Sequence, residues 1–282
     1  MKALYDVPAP AKLNLFLHVT GLRADGYHLL QSVFMLIDWC DTLHFERRSD
    51  GQISRQDLAV PLPADDLIVR AARLLQQHTS CSDGADIAIE KRLPAQAGMG
   101  GGSSDAASCL LALNRLWNLH LPLRTLEQLG LQLGADVPFF LRGRNAWVEG
   151  VGEQITPITL PASRFCIIKP PSGLETAQIF RDPGLNRSTN PAILSVFAAD
   201  PYDFGHNDLQ PVAEVLCPEV SQALKCLSNA GMNGKMTGSG SAVFAPCPAG
   251  QSRQVQVPEH WLIQECSNLE VHPLQGWASS DN

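Results

Sequence analysis

The sequence predicts an α+β protein built in two units, and three observations carry that prediction. Strand-like alternation dominates the first 60 residues, helical spacing takes over after residue 66, and a second round of strand, helix and glycine loop fills the rest. Strands followed by helices, twice over, favour α+β over a doubly wound parallel sheet. A length of 282 residues accommodates two ordinary domains. The boundary falls near residue 160, ahead of a short apolar strand at 165–169 closed by Pro170-Pro171, giving units 1–160 and 161–282.

The elements follow in order. Leu13, Leu15, Leu17 and Val19 alternate with Lys12, Asn14, Phe16 and His18, which reads as a strand with one apolar face. Asp25-Gly26 is a turn signal, and strands at 27–37 and 41–46 follow. Asp65 or Asp66 can cap a helix over 67–75, and 85–92 alternates as a strand. Ala106, Ala107, Leu110, Leu113 and Trp117 recur at helical spacing. Thr125 with Gln128 forms a candidate capping box for a helix over 126–133, with Gly134 placed to end it. A hairpin is expected over 145–158, irregular chain over 181–207, a helix over 211–230, and a strand over 242–245.

Composition excludes several function classes. Hydrophobic residues make up 45% and charged ones 17%, the balance of a folded globule. A net charge of −7 argues against a surface built for nucleic acid or anionic lipid. Of the eight cysteines no pair has C-x-x-C spacing, so they read as reduced structural thiols. Asp6, Pro8 and Pro10 interrupt any apolar leader, and no run approaches 18 apolar residues. The expectation is a cytoplasmic enzyme with small-molecule substrates only, no nucleic-acid or membrane partner, and no assigned oligomeric state.

Chemistry concentrates in one run: Pro94, Ala95, Gln96, Ala97, Gly98, Met99, Gly100, Gly101, Gly102, Ser103 and Ser104, set between a strand and a helix. Bare backbone N–H groups and a helix N-terminus suit a polyanion. The run lacks the lysine of a P-loop and only half matches a dinucleotide fingerprint, with no ribose-binding acid downstream. Ser103 and Ser104 are placed to cap the helix, and Asp105 to face a metal or the helix backbone rather than phosphate. By pattern alone Lys12 is either a solvated strand lysine or, with Asn14, part of a cleft. Asp136, before Val137-Pro138, is either the N-cap of a short helix or a catalytic carboxylate. A second glycine loop, Thr237-Gly238-Ser239-Gly240, is a further candidate anion nest.

Five motifs in order, at 10–15, 24–28, 98–106, 134–140 and 237–241, resemble the GHMP small-molecule kinases over about residues 8–245. The resemblance implies a two-domain GHMP kinase fold, with an N-terminal ribosomal S5 domain 2-like unit, a C-terminal ferredoxin-like α+β unit, and the active site in the cleft between them. It implies ATP as co-substrate with Mg²⁺, to which no protein ligand is assigned. Within that family, the Asp25-Gly26-Tyr27-His28 turn implies a cytidine-bearing alcohol: the cytidine-diphosphate derivative of methylerythritol, phosphorylated on its 2-hydroxyl in non-mevalonate isoprenoid synthesis. Asp136 matches the family's catalytic aspartate and Lys12 its catalytic lysine, and residues 94–104 match the ATP phosphate loop. Tyr27 and His28 match cytosine-binding residues, Phe180 stands where an aromatic of the second unit is expected on the other face of that ring, Thr176 is placed with it at the substrate, and Asn14 is expected on the erythritol. Asp66 stands where an asparagine near the adenosine is expected.

Overall fold

The computed structural model describes residues 1–247 and 255–279, and it stacks as helices, sheet, sheet, helices. Two long strands, β1 (Ala3–Leu22) and β2 (His28–Arg48), pair antiparallel along almost their whole length. The two strands expected over 27–46 are thus one, without a break at Asp38. The other partners of β2 divide its length: β5 (Ala146–Gly150) takes residues 30–34 and β4 (Gly84–Glu90) takes 42–48. β3 (Ile53–Asp57) lies parallel to β4, and β6 (Gln154–Pro157) closes the hairpin with β5.

One face of this sheet carries α1 (Leu67–Thr79), α2 (Gly101–Leu116), α3 (Leu123–Leu133) and α4 (Val137–Arg142). Alternation along β2 sorts the layers: Phe34, Leu36, Leu43 and Phe45 face the helices, while Val33, Met35 and Ile37 face the second sheet. That sheet runs β10 (Leu262–Ser267), β7 (Arg164–Lys169), β9 (Val243–Pro246), β8 (Lys235–Met236). Phe165 and Ile167 of β7 meet the first sheet, and Cys166 and Ile168 point to the far side, toward α5 (Thr176–Arg181), α7 (Gln210–Leu216) and α8 (Pro218–Asn229). α6 (Leu194–Ala199) interrupts the stretch expected to be irregular. The helix expected over 211–230 is two, broken at Cys217-Pro218, because proline cannot donate into a continuous helix.

Three expectations are corrected. β1 has no solvated face: Lys12, Asn14, Phe16 and His18 are all buried, because a second sheet covers the side that the sequence pattern leaves to water. α2 begins at Gly101, with Gly100 as N-cap, so Ser103 and Ser104 lie inside the first turn and Ser104 Oγ donates to Pro10 O at 2.7 Å instead of capping. α3 begins at Leu123 after Pro122, so Thr125 is already helical and forms no capping box. No expectation attached to residues 268–279; they pack on the first sheet's helices through Leu269, Leu274 and Trp277, with Leu269 N donating to Leu36 O at 2.8 Å.

Candidate active site

β1 is the spine of the site. Register shifts interrupt the ladder with β2 just before Lys12 and just after Asn14, so that residues 12–14 form a short regular stretch between two irregularities. Lys12 N–H donates to Met99 O at 3.0 Å, in the first glycine loop, and Asn14 N–H donates to Thr237 Oγ1 at 2.9 Å, at the start of the second. One strand therefore holds both loops. The loops also touch directly. A Cβ on Gly98 would collide with Thr237 O and approach Gly240 N to 2.8 Å, and one on Gly238 would sit 2.6 Å from Gly98 O. Gly98 and Gly238 have φ of +72° and +53°. Close approach and left-handed backbone together demand glycine at both positions.

These loops wall a cavity of about 830 Å³. Residues 94–103 line one side, Gly238, Ser239 and Gly240 another, and Lys12, Asn14 and Asp136 lie within it. Leu174, Glu175, Thr176 and Phe180 close the end toward the second sheet, where Thr176 Oγ1 and Ser239 Oγ are 2.7 Å apart. Of the expected nucleotide-loop residues, Ser104 is turned away and fully buried. Thr237 is likewise buried and acts on Asn14.

Lys12 Nζ lies 3.8 Å from Asp136 Oδ2, donates to Asn14 Oδ1, and sits 4.6 Å above the Phe34 ring centroid. Burial pulls this ammonium below the usual lysine range, and the Asp136 carboxylate draws it partly back. Asn14 is locked in turn, its Nδ2 donating to Ser32 Oγ at 2.8 Å. Asp136 occupies the N-cap position of α4 but makes no side-chain cap bond, and its side chain is 33% exposed. Its oxygens are accordingly not spent on the helix, and they face a cation in a cavity large enough for a nucleotide and an alcohol.

Sequence reasoning missed the support beneath the loop. Lys91 Nζ donates to Asp41 Oδ2 at 2.5 Å and to Asp105 Oδ2 at 2.6 Å, while Asp41 Oδ1 takes the N–H groups of Arg92 and Leu93 at 2.6 and 2.8 Å. Asp105 thus faces Lys91, against the expectation of a metal or helix backbone, and its Oδ1 is buried with no partner. Burial raises the Asp105 carboxyl well above the usual range, Lys91 opposes this, and Asp41 adds to it. Burial lowers the Lys91 ammonium, but Asp105 and Asp41 outweigh it and leave it raised. Lys91 stands three residues before the start of the glycine loop at Pro94; Asp41, fifty residues earlier, carries no pattern that marks it.

Asp66 lines the cavity but is engaged: Oδ1 caps α1 through Val69 N–H at 3.0 Å and meets Arg55 Nη1 at 2.7 Å. Tyr27 stands 63% exposed on its turn, outside the cavity lining. His28 packs on Phe180, with ring centroids 4.9 Å apart and planes at 39°. At that separation the rings touch and leave no slot for a base between them. Among the described residues, no group of three or more His, Cys, Asp or Glu could hold a metal, and no helix is long and apolar enough to cross a membrane.

Comparison with known proteins gives this geometry a family. Residues 66–144 match the description "GHMP kinases N terminal domain" and residues 194–258 "GHMP kinases C terminal". The chain is 61% identical over 296 residues to a 4-diphosphocytidyl-2-C-methyl-D-erythritol kinase of Variovorax paradoxus, covering 99% of this chain and 100% of that one. It is 62% identical over 287 residues to the protein of the same name from Delftia acidovorans, covering 100% of both. Among solved structures, a 4-(cytidine 5'-diphospho)-2C-methyl-D-erythritol kinase superposes with a TM-score of 0.75 at 35% identity, over 85% of this chain and 89% of that one. Mevalonate kinase from Methanococcus jannaschii shares the fold, with a TM-score of 0.68 at 15% identity over 95% and 98% of the two chains. The chain belongs to the GHMP kinases, in the family of the 4-diphosphocytidyl-2-C-methyl-D-erythritol kinases.

Proposed function

We propose that this protein transfers the terminal phosphoryl group of ATP to the 2-hydroxyl of 4-diphosphocytidyl-2-C-methyl-D-erythritol. The observation that carries this reading is the Lys12–Asp136 pair, 3.8 Å apart, in the cavity walled by two glycine loops. The division into units 1–160 and 161–282 is proposed with it, as is a cytoplasmic location.

The acceptor is a tertiary alcohol, a poor nucleophile until its proton has somewhere to go. Asp136 takes that proton as the O–P bond forms and the bond to the leaving ADP oxygen breaks. General-base assistance of this kind is worth about 10²–10⁴-fold. Lys12 keeps its charge beside Asp136 and offsets negative charge on the moving phosphoryl group. Asn14, held by Ser32, fixes Lys12 laterally and leaves the ammonium one direction in which to act. Backbone N–H groups of residues 98–103 and the opening turn of α2 receive the nucleotide phosphates. No protein side chain is assigned to Mg²⁺; bound together with ATP, the ion would supply charge neutralisation on the phosphates. Phe180, Thr176 and Asn14 contact the alcohol substrate, with Tyr27 and His28 at its cytosine end. Stacking the base against Phe180 requires its ring to part from His28.

The test is a kinase assay with the cytidylylated alcohol and with plain methylerythritol. Turnover confined to the first is expected, and equal turnover of both would sink the cytidine assignment.

A further inference from the structure

We propose that Arg187 is a positioning residue for the pyrimidine-binding wall: its guanidinium fixes His28 as the Nδ1–H tautomer and ties that ring to the segment carrying Phe180. The proposal rests on the functional reading above for its consequence in catalysis, though not for its chemistry.

Arg187 lies between α5 and α6, half-buried, where no periodic pattern marks it. Its Nε donates to His28 Nε2 at 3.1 Å. Its Nη2 donates to the carbonyls of Phe180 and Asp182 at 3.0 and 2.8 Å, and its Nη1 to Leu185 O at 3.0 Å. A guanidinium has five donors, no acceptor and a permanent charge. The nitrogen facing it must therefore accept. A neutral imidazole has one acceptor nitrogen, so the proton of His28 is confined to Nδ1. An imidazolium, with both nitrogens donating, would set N–H against N–H. Burial lowers the His28 pKa and the Arg187 charge lowers it further, in accord with that geometry.

The same fork satisfies carbonyls at the C-terminal end of α5, where helix carbonyls lack partners and a cation is favoured. One side chain therefore joins the first residue of β2 to the helix that carries Phe180. The 4.9 Å contact between the two rings is built on this bridge. When a base seats against Phe180, Arg187 keeps His28 neutral, oriented and ready to donate from Nδ1 to an acceptor on the pyrimidine edge.

The test begins with the wild-type protein labelled with ¹⁵N-histidine and His28 assigned by comparison with His28→Gln. Long-range ¹H–¹⁵N spectra are expected to show protonated Nδ1 and bare Nε2, the reverse of the form that a free neutral histidine prefers. A wild-type Nε2–H tautomer overturns the proposal without any variant having to fold. In Arg187→Met the tautomer is expected to revert, and the KM for the cytidylylated alcohol to rise about tenfold, the loss of one charge-assisted hydrogen bond. The KM for ATP is expected to stay within about twofold, and Arg187→Lys to restore part of the loss. An unchanged tautomer, or equal KM changes for both substrates, also overturns it. If the wild type fails to phosphorylate the cytidylylated alcohol, the functional reading falls with the substrate-binding role, while the tautomer measurement still decides whether Arg187 clamps His28.

Discussion

Lys91→Met tests the foundation of the phosphate loop. Lys91 Nζ bridges Asp41 and Asp105 at 2.5 and 2.6 Å, and the three side chains are 12%, 0% and 3% exposed. Methionine keeps the length of the side chain and removes the charge. Asp41 Oδ2 then loses its ammonium, although Oδ1 keeps the two backbone N–H groups. Asp105, whose Oδ1 already lacks a partner, is left with neither oxygen satisfied. Breaking a buried ion pair from one side costs about 3–5 kcal/mol. The raised Asp105 carboxyl takes up a proton readily and removes one of the two charges. The expected loss is therefore at the low end, about 3 kcal/mol. In a chain of this size that is a fall in Tm of roughly 6–12 °C. A Cβ on Gly101 would lie 3.3 Å from Lys91 Nζ, so the lysine packs directly against the start of α2. A rise in the KM for ATP is expected alongside the lost stability. Scanning calorimetry at pH 7 reads the first effect and steady-state kinetics the second. In the background of Lys91→Met, Asp105→Asn is expected to recover part of the Tm by offering Asp41 a donor. A Tm within about 2 °C of wild type would refute the claim that the triad is a buried, mutually dependent unit.

Three further outcomes are expected. Asp136→Asn should fold, bind ATP and lose at least about 10²-fold in turnover, measured by ADP release; near-normal turnover would remove Asp136 from the proton transfer. Gly98→Ala forces a side chain onto Thr237 O at a positive φ, costing at least about 1–2 kcal/mol, and calorimetric titration should show weakened ATP binding; unchanged affinity would mean that the two loops do not brace one another. His272 is fully buried, its Nε2 has no partner, its Nδ1 accepts from Leu274 N–H at 3.0 Å, and burial lowers its pKa to about 4. The folded state thus binds fewer protons than the unfolded one, whose histidine titrates near 6.5, so its contribution is complete above that pH and fades as pH falls toward 4. The loss amounts to roughly 3 kcal/mol, and His272→Asn should flatten that part of a urea-midpoint profile; an unflattened profile would assign the acid sensitivity elsewhere.

The parts of this protein whose chemistry is local are written in its residues. Glycine density at 98–102, the alternation at 11–19 and the helical spacing after Ala106 each follow from a periodicity or a backbone demand confined to a few residues. Asp66 as a cap and Gly134 as a stop were legible for the same reason. Lys12 and Asp136 were ambiguous by pattern: a lysine alternating with leucines looks alike on a solvated face and in a cleft, and an aspartate before Val137-Pro138 looks alike as an N-cap and as a free carboxylate.

Packing resolves that ambiguity. Covering β1 with a second sheet turned its polar face into buried machinery, and its N–H groups at Lys12 and Asn14 hold two loops more than a hundred residues apart in the chain. The Asp41–Lys91–Asp105 bridge and the grip of Arg187 on His28 join positions 14 to 159 residues apart. No local propensity encodes such pairs. They exist because burial makes an unpartnered charge too costly to leave, and the fold brings together the groups that satisfy it.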